Sequence, residues 1–105
     1  MDWKDKQPPQ ILHSEPRPAN YRQMIQDAAH NIHLRKQSVS LLICYASHAN
    51  TFRPAAKLIT RETGIAANKI SEVRQRLVKH GLIAYRDYPG FILIDWNRIR
   101  IFARL

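Results

Sequence analysis

Cysteine is all but missing from this 105-residue chain: Cys44 stands alone, so no internal disulfide can form. A solitary thiol fits a reducing, intracellular setting rather than a stapled secreted fold. Glycine is scarce as well. Gly64, Gly81 and Gly90 are too few and too scattered to build a glycine-rich phosphate loop. No run approaches the ~18 consecutive apolar residues of a membrane span. The opening MDWKDKQPPQ puts charges and prolines where a signal peptide needs an apolar stretch. Acid is the last shortage, with eight Asp and Glu against seventeen Lys and Arg and a net charge of +9.

That positive excess is uneven. From Arg53 onward there are eleven basic and four acidic residues (net +7), against six and four before it (net +2). A polyanionic partner, met by the second half, is the expectation. Catalysis is not expected. The chain offers no nucleophile beside a base and no paired carboxylates. His30 and His33 are three apart, with His48 and His80 elsewhere, but no second cysteine or local carboxylate cluster completes a metal site. These histidines read as helix-end residues near the negative end of the helix dipole. Cys44, in the middle of an apolar helix, reads as inert core. No metal and no cofactor are predicted.

Residues 1–19 hold Pro8, Pro9, Pro16 and Pro18 with little apolar periodicity, and read as an extended, disordered arm. Lys4, Lys6 and Arg17 are its cations. Asn20, three residues before Gln23, forms a capping-box pattern, and Met24, Ile25, Ala28, Ala29 and Ile32 follow at helical spacing. This predicts a first helix over about 21–31. After the polar joint His33–Gln37, SVSLLICYASHA leaves almost no polar face and belongs at the centre of the fold. Phe52 suits a short strand, and Pro54 suits the first turn of a helix through AAKLITRET. Gly64 then supplies a left-handed cap.

Only Ile65 and Ala66 separate Gly64 from the next helix, predicted over about 67–80 and ended by Gly81. So short a joint forces a sharp angle, the geometry of a helix-turn-helix. LIAYR and FILIDW, around the turn residues Asp87, Pro89 and Gly90, form a β-hairpin over about 82–96. Residues 97–105 fit either a third strand or a short helix. The fold class is therefore mainly α with a small β-hairpin, in one domain over 20–105.

This order of elements, and the stretch RPAAKLITRETGIAANKISEVRQRLVKHGLI within it, resembles the winged helix-turn-helix domains of phage and plasmid replication proteins and of bacterial transcription regulators. The matching residues are Pro54, Ile59, Gly64–Ile65, then Ile70, Val73 and Leu77, then Gly81–Leu82–Ile83 entering the wing. The resemblance covers about 38–96. Three positions depart from it: Ala66 replaces a capping Ser or Thr, Thr60 a small alanine, and Arg74 an apolar residue.

At 100° per residue, Ile70, Val73 and Leu77 point inward and Asn68, Glu72, Gln75 and Lys79 point outward, flanked by Lys69, Ser71 and Arg76. Asn and Gln can pair with adenine, Lys with guanine, and Glu can accept from cytosine. Asn68, Lys69, Ser71, Glu72 and Gln75 are the candidate base contacts. Arg53, Lys57, Arg76, Lys79, Arg86 and Tyr88 are the candidate contacts to the DNA backbone.

The expected function is sequence-specific binding of double-stranded DNA in the cytoplasm, at the nucleoid. The resemblance implies a role in replication initiation or transcription control, with a mobile element as the setting. A homodimer through 21–31 and 98–105 is the favoured quaternary form. Two other functions compete. One is a protein–protein adaptor without DNA binding. The other is a non-specific single-strand binder, which needs stacking aromatics that here are mostly committed to the core.

Overall fold

The computed structural model describes residues 10–48, 55–86 and 90–105. Among them, five α-helices and a three-stranded mixed sheet follow one another in the order β1 (Gln10–His13), α1 (Tyr21–Asn31), α2 (Lys36–Ser47), α3 (Ala56–Thr63), α4 (Ile70–Lys79), β2 (Ile83–Arg86), β3 (Phe91–Ile94) and α5 (Trp96–Ala103). A 3-10 turn, Ala67–Lys69, leads directly into α4. Among these residues, no helix is long and apolar enough to cross a membrane.

The sheet differs from the expected hairpin. β2 and β3 are antiparallel neighbours, with Ile83 opposite Ile94 and Arg86 opposite Phe91. β1 adds itself to the other side of β3, parallel, with Gln10 opposite Phe91 and His13 opposite Ile94. The expectation of a disordered arm is thus corrected over 10–19. Ile11 is fully buried in the core, which offsets the entropy lost in ordering the segment. Arg17 is fixed as well: its guanidinium donates to the carbonyl of Ala46 at 3.0 Å and lies 4.6 Å from the centre of the Tyr21 ring. There it neutralises the C-terminal carbonyls of α2.

The segment 97–105 resolves as helix. Asp95 caps α5, its Oδ1 accepting from the Arg98 N–H at 2.9 Å. Trp96 is fully buried and anchors the helix to the first strand. Its backbone N–H donates to Ser14 Oγ at 3.0 Å, its indole N–H donates to His13 Nδ1 at 2.9 Å, and the two rings stack. Arg100 is held by Glu15 across the same junction. At the far end, the Asn31 side-chain amide donates to the carbonyl of Phe102 at 2.9 Å, tying α1 to α5.

Elsewhere the sequence signals take recognisable form. α1 begins at Tyr21, but the capping box does not close. Asn20 has φ −95° and ψ 32° and its side chain makes no cap bond, while Gln23 donates to Asp27 Oδ1 at 2.8 Å. α2 buries Leu41, Leu42, Tyr45 and Ala46 and packs against α1, α3 and α4. α3 starts after Ala55; the proposed roles of Phe52 and Pro54 lie outside the described residues.

Two glycines end helices in the left-handed region: Gly64 at φ 77° closes α3 and Gly81 at φ 74° follows α4. At Gly81 the positive φ is the constraint; a Cβ there would also meet the exposed Arg98 side chain at 2.9 Å, which can swing aside.

Candidate nucleic-acid interface

The joint between α3 and α4 is built from a few local bonds. The Gly64 N–H donates to the Thr60 carbonyl at 2.8 Å. Thr63 Oγ1 donates to the Ile59 carbonyl at 2.7 Å and accepts from the Ile65 N–H at 3.1 Å. Ile65 itself is fully buried, so the turn is pinned to the core at its middle residue. Ala66 gives the 3-10 turn no side-chain cap.

With the turn fixed, the orientation of α4 follows. Ile70, Val73 and Leu77 are buried, and Asn68, Lys69, Ser71, Glu72, Gln75 and Lys79 are all exposed on the outer side. All five candidate base-contacting residues are thus solvent-exposed, Asn68 and Lys69 on the 3-10 turn and Ser71, Glu72 and Gln75 on α4. Glu72 is not free on it: its carboxylate is 3.3 Å from the Arg76 guanidinium and 3.7 Å from the Lys69 ammonium. Both pairs are solvent-exposed and weak. They hold the one acid of α4 between two cations.

Of the backbone-contact candidates, Lys57 and Lys79 are exposed on α3 and α4, and Arg76 is half-buried. Arg86 is exposed at the end of β2, 5.8 Å from the centre of the Phe91 ring. Arg53 and Tyr88 lie outside the described residues. Arg74, the cation where the resembled pattern has an apolar residue, packs its guanidinium 4.1 Å over the Tyr85 ring. This cation–π contact joins α4 to β2 and explains how the charge is accommodated.

The structure adds a feature that linear spacing did not expose. Where the start of α2 meets the end of α4, Arg35, Ser38, Arg76, Lys79 and His80 line a concavity of about 260 Å³. Ser38 is 1% exposed and its Oγ has no hydrogen-bond partner among the described residues. The first turn of α2 has no side-chain cap and no acidic residue, so no side chain of that turn offsets its positive dipole end. Three cations beside a helix N-terminus favour an anion such as a backbone phosphate. Arg35 was legible only as part of a polar joint, since its nearness to Arg76 depends on tertiary packing.

Cys44 needs a correction. It is buried, but not among apolar groups alone: its Sγ donates to Glu62 Oε2 at 3.0 Å, and His48 Nε2 lies 3.5 Å from the same oxygen. Burial first, and then the Glu62 hydrogen bond and charge, push the thiol up to about 12. The Cys44 hydrogen bond holds the Glu62 carboxyl below its ordinary value, against the opposing effect of desolvation and with help from His48. The signal in the sequence was the four-residue spacing of Cys44 and His48, one turn apart on a helix. Glu62 enters from α3. His30 and His33 have no such company among the described residues.

Comparison of the chain with protein-family profiles, with curated proteins and with solved structures gives no match.

Proposed function

We propose that this chain is a winged helix-turn-helix protein that binds duplex DNA, reading bases with the outer face of α4. One observation carries the reading. The 3-10 turn Ala67–Lys69 and the helix it opens carry Asn68 and Lys69, then Ser71, Glu72 and Gln75, all exposed, behind a three-residue joint pinned by buried Ile65. A helix held at that end by a short turn can enter a major groove with base-reading groups leading. Arg35, Arg76 and Lys79 serve the phosphates beside it, and Lys57 and Arg86 extend the contact. Sites in replication or transcription control, on a mobile element and at the nucleoid, are the setting that goes with this reading.

The experiment is retention of random duplex as salt is raised. Binding is expected to weaken steeply, with a slope that counts the phosphates neutralised. No retention at ~50 mM salt, where such contacts are near their strongest, sinks the proposal and leaves a protein–protein adaptor. Preference for single strands in competition would sink it equally. A homodimer on paired half-sites has less apolar surface to use than expected, because α1 and α5 pack on each other. Ile101 and Leu105 remain, at 53% and 73% exposed. Sedimentation of a monomer at high micromolar concentration, with and without DNA, removes the dimer.

A further inference from the structure

Away from the outer face of α4, the end of α2 and the last turn of α3 bring together three side chains of different elements. Cys44 and His48 are four residues apart, so both project from one side of α2. Glu62 reaches them from α3. One donor atom from each, Sγ, an imidazole nitrogen and a carboxylate oxygen, lie within 4.8 Å of one another. We propose that Cys44, His48 and Glu62 bind one Zn²⁺ ion, with a fourth coordination position open to water or a small anion.

The donor set, thiolate with imidazole and carboxylate, is drawn wholly from zinc's preferred ligands. The sulfur discriminates against magnesium and calcium. Zinc bond lengths in a tetrahedron place donor atoms roughly 3.3–3.8 Å apart. The observed 3.5 Å from Nε2 to Oε2 falls in that range, 3.0 Å from Sγ to Oε2 lies just below it, and the sulfur and the imidazole nitrogen lie within 4.8 Å. Shelter is graded: Cys44 is buried, while the His48 and Glu62 side chains are 26% and 37% exposed. An ion therefore has a way in. Cys44 and Glu62 also line a cavity of about 380 Å³ with Arg22, Ser40, Ile43 and Ser47. That cavity gives the fourth position room, and Arg22 there favours water or an anion over a second cation.

Binding exchanges the Sγ–H bond for an Sγ–metal bond, and the displaced proton passes to the solvent. The carboxylate that now accepts from the thiol becomes the neighbouring ligand. An ion so held would tie the end of α2 to the helix that precedes the proposed reading helix. The inference does not depend on DNA binding, and its test contains no DNA.

The test uses the full chain, reduced and stripped of metal by a chelator, then titrated with Co²⁺ as a spectroscopic substitute. Expected are one equivalent per chain, a thiolate-to-cobalt charge-transfer band, and its displacement by Zn²⁺. Cys44→Ala should abolish the band. His48→Gln and Glu62→Gln, at part-exposed positions where the fold is checked by circular dichroism, should each weaken binding by about tenfold or more. Three results overturn the proposal: no charge-transfer band with Co²⁺ in excess, affinity unchanged in both Gln variants, or binding lost instead in His30→Asn.

Discussion

At the residue scale, His13 shows how one side chain takes on a charge preference from its neighbours. Its Nδ1 accepts the indole proton of Trp96, and its Nε2 is buried without a partner among the described residues. A proton on Nδ1 would set donor against donor. Burial, and secondarily the charge of Arg17, lower its pKa from the ordinary 6.5. The unfolded chain therefore takes up a proton near pH 6.5 that the folded chain resists. Stability contributed by the neutral ring is present above that pH and declines below it, until the folded ring itself protonates. The denaturant midpoint should fall as pH drops below 6.5. The fall should be shallower in His13→Asn, which keeps an acceptor but cannot titrate. An identical slope in the variant would mean that another group is responsible.

The same scale shows why some residues were legible and others were not. Gly64 and Gly81 act through their own backbone angles, so their roles could be read from the chain alone. Asp95 caps α5 by bonding only three residues ahead. Yet the alternation of Arg98, Arg100 and Arg104 with Ile99, Ile101 and Phe102 obscured the Trp96–Ile99–Phe102 spacing of a helix. Glu62 is 18 residues from Cys44, and no local pattern announces that they meet.

Among the elements, α4 gives the sharpest comparison. Its inward residues were fixed by periodicity, and the structure buries the same three. The pairing of Glu72 with Lys69 and Arg76 also follows helical spacing, three and four residues apart, whereas the approach of Arg35 to Arg76 depends on how α2 packs on α4. If α4 and the 3-10 turn that opens it read bases, Asn68→Ala and Gln75→Ala should change which sequences are preferred, whereas Lys79→Ala should weaken all sequences alike. Selection from random duplex, followed by titration of the favoured sites, distinguishes these outcomes. A uniform loss in all three would show that the helix touches DNA without reading it.

β1 was the element least visible in advance. Four residues, QILH, sit among prolines with no periodicity long enough to register, and their partner strand lies 81 positions away. Strand character here resides in the pairing with β3, not in the segment. Once paired, the segment brings Ile11 to full burial and places His13 and Ser14 against Trp96.

For the molecule as a whole, β1 is therefore part of the core. Ile11→Ala should lower stability by about 2–4 kcal/mol, in the range for truncating a buried isoleucine. Urea denaturation followed by circular dichroism measures this. A loss within about 0.5 kcal/mol, the range of an ordinary surface substitution, would mean that β1 is dispensable.

The parallel pairing of β1 with β3 also sets a schedule for the growing chain. Gln10 pairs with Phe91, so a ribosome adding about 5–20 residues per second delivers the partner roughly 4–16 seconds after the strand itself. Throughout that interval Ile11 and Leu12 have no β3 to pair with. Translation speed thus fixes how long this apolar segment waits in the cell, and the sheet closes only once β3 has been made.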